Sequence, residues 1–149
     1  MNEFKLFDDR LAGLIASLSA PSRRQMATEI AKRLRASQQQ RIKQQQAPDG
    51  TPYAGRKRQL VRGKKGRVKR AMFTKLRTNR FMKAKGAPDE SAVEFIGRVQ
   101  RIAQVHQYGL RDRPSRNGRE VQYSARPLLG FSDADRQIVE EVLVSHLSE

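Results

Sequence analysis

The chain of 149 residues is predicted to be an α+β protein, with an N-terminal helical pair, a small central antiparallel sheet and a closing C-terminal helix. Three observations predict this class. Apolar residues recur at helical spacing through the first 46 residues. Two short runs near 80–85 and 91–96 have strand character and are joined by turn residues. Helical spacing then returns in the last stretch of the chain.

Phe4, Phe7, Leu11, Leu14 and Leu18 lie three and four residues apart, which predicts an amphipathic helix over 3–18. Glu3, Asp8 and Asp9 in its early turns suit the helix dipole. "SAPS" ends it, and Ser19 or Ser22 can cap a second helix with Pro21 in its first turn. Met26, Ile30, Leu34 and Ile42 form the stripe of that helix, which could run to Gln46. Its end, "SQQQRIKQQQ" at 37–46, is almost wholly polar. It is expected to be a solvated or partner-facing helix end, with a low-complexity tract as the competing reading.

"APDGTPYAG" at 47–55 is dense in turn residues. Val68, Met72 and Leu76 then give a short helix to about residue 78, with a strand as the alternative. Strands near 80–85 and 91–96 are joined by a Gly-Ala-Pro-Asp loop. "VQRIAQVHQYG" places Val99, Ile102, Ala103 and His106 on one helical face, and Gly109 ends the helix. Residues 110–120 read as a polar loop. "VQYSARPLLGF" reads as a short extended stretch that Pro127 confines to a sheet edge or strand end. The last helix starts from Ser132 with Asp133 and Asp135 in its first turn. It buries Ile138, Val139, Val142, Leu143 and Leu147. No internal repeat is found.

The net charge of +16 is unevenly spread. Residues 1–46 carry +5, residues 47–85 carry +13 and residues 86–149 carry −2. Within "GRKRQLVRGKKGRVKR" at 55–70, nine of sixteen residues are Lys or Arg and none is acidic. Self-repulsion there opposes compaction, and an acidic partner would relieve it. Only 37% of residues are hydrophobic, so part of the chain is expected to be solvated or covered by a partner. The absence of cysteine excludes disulfides and thiolate metal sites and suits a reducing compartment. No apolar run approaches the ~20 residues that span a bilayer. "MNEFKLFDDR" lacks the pattern of a signal peptide, so a soluble intracellular product, or one released by lysis, is expected.

Chemistry is sparse. His106 lies on an apolar helical face and reads as a packing residue, and His146 lies three residues from the end. Neither has a metal-ligand partner at the required spacing. The pairs Asp8–Asp9, Asp89–Glu90 and Glu140–Glu141 are sequence neighbours and, on a helix, point apart. "GKKGR" lacks the spacing of a phosphate-binding loop. No catalytic residue, metal or cofactor is expected, and the chain is not read as an enzyme.

Three readings of the basic run remain open. Arg56, Lys57, Arg58, Arg62, Lys64, Lys65, Arg67, Lys69 and Arg70 could neutralise nucleic-acid phosphates, with steep salt dependence. The nearest aromatics are Tyr53 and Phe73, outside the run, so base readout is not expected. The run could instead dock on an acidic protein surface, or stay solvated.

"APDGTPYAG" (47–55), "IAQVHQYG" (102–109) and "YSARPLLGFS" (123–132) resemble, in this order and at this spacing, the phage virion morphogenesis family. This is the tail completion group of contractile-tailed phages, with homologues in prophages and phage-tail-like bacteriocins. The resemblance extends to the N-terminal helices and to "GRVKR", so it spans nearly the whole chain. Tyr53 stands where the family's turn has an aromatic, often Trp. The resemblance implies a structural virion protein that completes the tail and makes it competent to join the filled head. Related terminator and neck proteins form six-fold rings from a small α+β unit, which would make this chain a ring subunit. It would sit at the tail top or neck, after assembly in the host cytoplasm. Implied partners are further copies of itself, tail tube or sheath proteins and head–tail connector proteins, with DNA contact open. No membrane or small molecule is implied.

Within the motifs, Asp49 and Gly50 are expected to form a tight turn that directs the basic arm, with Tyr53 following. His106 and Gln107 could hydrogen-bond an adjoining loop or sheet, and Gly109 ends their helix. Arg126 could pair with a carboxylate of a neighbouring subunit or of its own chain, and Pro127 fixes the backbone after it. One domain over 1–149 is expected: a helical pair (1–46), a turn and flexible basic arm (47–67), and a helix, sheet and C-terminal helix (68–149). The arm would gain its order in the assembled ring.

Overall fold

The computed structural model describes residues 3–56 and 71–148. Its elements are α1 (Glu3–Ser17), α2 (Ala20–Lys43), β1 (Met82–Ala87), β2 (Glu90–Phe95), α3 (Val99–Tyr108), β3 (Arg111–Asp112), β4 (Val121–Gln122) and α4 (Asp133–Leu147). The class is α+β, with the helical pair leading and a helix closing. The expected small sheet is β1–β2, and β3–β4 form a second, separate two-stranded sheet. Contacts group the chain into two compact units. The first comprises Met1–Ala36, Lys83–Glu94 and Asp133–Glu149, and the second comprises Ser37–Met82 and Phe95–Ser132.

The first unit has a core of Met26, Ile30, Val142 and Leu143, with Leu11, Ile15, Leu18, Leu34, Val139 and Leu147 packed against it. Burying each of the four central side chains contributes about 2 kcal/mol. Leu11 and Ile15 of α1 and Leu18 just beyond its end pack against this core, whereas Leu14, expected in the stripe, is exposed. At about 100° per residue, Leu14 falls about 60° from Leu11 and so at the edge of the stripe. The side chains of Phe4 and Phe7 lie outside the described set. Ser19 is the cap of α2: its Oγ accepts from Ser22 N at 3.3 Å and its carbonyl accepts from Arg23 N at 2.9 Å. Pro21 in the first turn forfeits no helical hydrogen bond there. Gly86 of β1 lies against α2, where an added Cβ would stand 2.3 Å from Thr28 N. Ser91 Oγ of β2 donates to Ala27 O at 2.8 Å.

In the β1–β2 hairpin, Pro88 and Asp89 alone form the turn; Gly86 and Ala87, expected in the loop, continue β1. The pairing extends one step beyond the strands, with Ile96 N donating to Phe81 O at 2.9 Å. The expected loop at 110–120 contains β3, which pairs antiparallel with β4 in the register Arg111 to Gln122 and Asp112 to Val121. Pro127 lies beyond that short strand.

The helix expected to end near residue 78 is replaced by turns over 74–80 in its described part, and residues 68–70 lie outside the described set. The reason is local: Phe73 has φ +66°, a left-handed conformation that ends any right-handed helix through it. Met72 and Leu76 are nevertheless buried, as their apolar spacing required. On α3, Ala103 and Val105 are buried while Ile102 is exposed, so the buried face is rotated from the expected one. Among the described residues no helix is long and apolar enough to cross a membrane.

Candidate functional site

The second unit solves a problem posed by its low strand content. Its long loops carry backbone N–H and C=O groups that no sheet pairs, and burying such groups unpaired is costly. Side chains take the place of the missing strands, and the three motif stretches are where they do so.

The first stretch begins at the end of α2. Gln45 has φ +58°, Gln46 N donates to Arg41 O at 3.2 Å and Gln45 N donates to Ile42 O at 2.9 Å. This is the left-handed helix stop usually made by glycine. The chain then turns tightly. Gly50 N donates to Ala47 O, Ala47 N to Thr51 O, and Gln46 bridges Pro52. Asp49 Oδ1 accepts from Thr51 N at 2.9 Å, a bond that favours its charged form and lowers its pKa. Gly50, at φ +88°, supplies the backbone freedom that this turn requires.

The helix end expected to be solvated or partner-facing is buried in part, with Gln40, Lys43 and Gln44 exposed. Gln38, Arg41 and Ile42 are all buried. Gln38 Oε1 accepts from Gly130 N at 3.1 Å and from the Arg41 guanidinium, while Arg41 donates to Gly130 O at 3.1 Å. Both polar groups of Gly130 are thus held by side chains of α2. Gly130 is required because a Cβ there would meet the Pro48 ring at 2.3 Å.

The second and third stretches interlock in the same manner. Gln107 Oε1 accepts from Leu128 N at 2.8 Å and Leu129 N at 2.9 Å, and its Nε2 donates to Leu129 O at 2.8 Å. Gly109, at φ +65°, ends α3, and Ala125 N would lie 2.8 Å from any Cβ there. Arg126 N donates to His106 O at 2.7 Å. The Arg126 guanidinium, expected to meet a carboxylate, donates to Ala54 O at 2.7 Å and Gly55 O at 2.9 Å. Tyr53 OH donates to Pro127 O at 2.8 Å, and burial pushes its pKa up to about 12 against the opposing charge of Arg41. The residues selected in 47–55, 102–109 and 123–132 are therefore brought together.

Four rings run through this junction edge to face. Tyr53 meets Phe73 at 5.7 Å between centroids, Phe73 meets His106 at 4.9 Å, and His106 meets Tyr123 at 5.0 Å. Nδ1 of His106 is buried without a hydrogen-bond partner. Burial lowers the pKa of His106, and the nearby Arg126 and Arg56 charges lower it further. A cleft of about 580 Å³ opens beside Phe73, His106 and Tyr123 and is also lined by Arg56, Lys75 and Arg126. No carboxylate is among its described lining residues. The arrangement can hold an aromatic group together with a negative charge. Among the described residues no cluster of three or more acidic or His side chains could hold a metal.

Of the basic run, Arg56 stands at the cleft; burial lowers the pKa of Arg126, and the Arg56 charge lowers it further. Lys57, Arg58, Arg62, Lys64, Lys65, Arg67, Lys69 and Arg70 lie outside the described residues. The sequence reading missed Gln38 and Arg41, although their spacing of three marks one helical face, and Gln45 just beyond the end of α2. It also missed the role of Phe73, for which the sequence carries no signal, because bulky residues rarely adopt a positive φ.

Comparison with known proteins agrees with these motifs. The chain is 53% identical over 148 residues to "Tail completion protein S" of Escherichia phage P2, a span covering 99% of each chain. No solved structure is a significant match. Residues 2–148, almost the whole chain, match the phage virion morphogenesis family, and the chain belongs to that family.

Proposed function

We propose that this chain is a structural virion protein that completes the phage tail, acting as a subunit of a ring at the head-proximal end that makes the tail competent for head joining. The observation that supports it is the likeness to a tail completion protein over 99% of both chains. On this reading the protein is not an enzyme. It works as one domain through surfaces that meet further copies of itself, tail tube or sheath proteins and the head–tail connector. Its site is the tail top, reached by assembly in the host cytoplasm. The motif residues Asp49, Gly50, Tyr53, His106, Gln107, Gly109, Arg126 and Pro127 hold the loops in shape for those contacts. The basic run from Arg56 to Arg70 supplies charge toward an acidic partner surface.

The test is a phage or prophage lacking this gene. Heads and tails are expected to accumulate unjoined, with joining restored by the purified protein and new density at the head-proximal end of the tail. Normal joining in its absence, or the protein located elsewhere in the particle, overturns the reading.

A second reading, nucleic-acid binding, is favoured by the nine cationic residues within 55–70. It requires a gel shift of nonspecific DNA that weakens steeply with salt. Alanines at Arg56, Lys57, Arg58, Lys64 and Lys65 would flatten that slope. In the assembly reading the same alanines leave tails that fail to join heads.

A further inference from the structure

We propose that the cleft beside Phe73, His106 and Tyr123 receives the Phe131–Asp133 corner of a second copy of the chain, so that copies join head to tail through it. This rests on the ring reading and names its contact surface. The cleft combines three rings with the cations Arg56, Lys75 and Arg126 and has no carboxylate among its described lining residues. Its complement is an aromatic side chain followed closely by a negative charge, since rings pair edge to face and cations favour both ring faces and carboxylates.

The chain carries that complement on its own surface. Phe131 is 62% exposed, and Asp133, two residues on, is also exposed. Phe131 is not among the residues lining the cleft of its own copy. It also leaves a fixed backbone. Leu128 is fully buried, and both polar groups of Gly130 are held by Gln38 and Arg41. A side chain presented this way loses little freedom on docking. Knob and cleft are different surfaces, so the contact is heterologous and repeats from copy to copy until a ring closes.

The absence of native cysteine makes a clean cross-linking test possible. Ser124, exposed at the cleft, and Phe131 are replaced to give Ser124→Cys, Phe131→Cys and the double variant. Mild oxidation is expected to link the two single variants to each other when mixed, and to give the double variant a ladder ending at a closed oligomer. Phe131→Ala is expected to weaken self-association roughly tenfold by light scattering, while its thermal melt stays unchanged. An oligomer of unchanged mass in Phe131→Ala, with no cross-link, overturns this interface and leaves the ring reading standing. No oligomer in solution or on isolated tails overturns both. Protection of Ser124→Cys from a maleimide by a short DNA duplex, without cross-linking between copies, assigns the cleft to nucleic acid and overturns the proposal.

Discussion

Gln45 and Met72 are joined by a reciprocal pair of hydrogen bonds. Gln45 Nε2 donates to Met72 O at 2.8 Å, and Met72 N donates to Gln45 Oε1 at 2.8 Å. A side-chain amide here reproduces the bonding of a neighbouring strand, and it anchors the segment that carries Phe73. Gln45→Ala leaves both Met72 groups without these partners and is expected to cost ~2 kcal/mol, read as a shift in denaturant midpoint. Gln45→Gly suits the left-handed backbone yet loses the same bonds, so it is also expected to destabilise. A stable Gln45→Gly would show that the helix stop alone matters.

Two glycines separate space from propensity. Gly86→Ala drives a methyl group into the α2 backbone at Thr28 and is expected to cost ~1–3 kcal/mol. Gly13, inside α1 with nothing within 4 Å, is the control. Gly13→Ala is expected to stabilise by ~0.5–1 kcal/mol through helix propensity. Thermal melts of both variants decide the point.

His106 should make stability depend on pH in one direction. Its folded pKa is lowered by burial, then by Arg126 and Arg56, below the unfolded value of 6.5. Above that value the ring is neutral in both states, and its contribution is intact. As pH falls through 6.5 toward the folded pKa, the unfolded chain binds the proton more readily, and stability is lost. His106→Phe keeps an aromatic ring between Phe73 and Tyr123 and removes the titration. Its melting temperature is expected to fall less than that of the parent chain between pH 7.5 and pH 5.

Tyr53→Phe tests the link between the first and third motif stretches. Loss of the bond to Pro127 O should cost ~1 kcal/mol, read from the denaturant midpoint. In a spectrophotometric titration, a step near pH 12 is expected to disappear with the substitution.

How much of this could be read from the sequence depends on what each feature leaves in the residues. Helices leave spacing, so α1, α2, α3 and α4 were legible, and Ser19 and Gly109 marked two of their ends. Leu14 and Ile102 were assigned to buried faces because spacing fixes a stripe only to within about one residue. The two-residue strands β3 and β4 have no period to detect. Residues 71–78 were misread because Met72 and Leu76 are spaced as in a helix, while the left-handed Phe73 that breaks it has no compositional mark. The motif residues were legible as a group through family resemblance. Their purpose was less so, because a glutamine or arginine bonding to backbone looks in sequence like any solvated polar residue.

The Gln-rich tract carries a consequence for how this gene can vary. Such tracts usually tolerate gain or loss of a copy through replication slippage. Here one inserted or deleted glutamine between Gln38 and Gln45 would rotate the following side chains by about 100° around the axis of α2. Arg41 and Gln45 could not then both keep their present bonds to Gly130 and Met72. The tract is therefore expected to be fixed in length while its exposed positions, such as Gln40 and Lys43, drift freely.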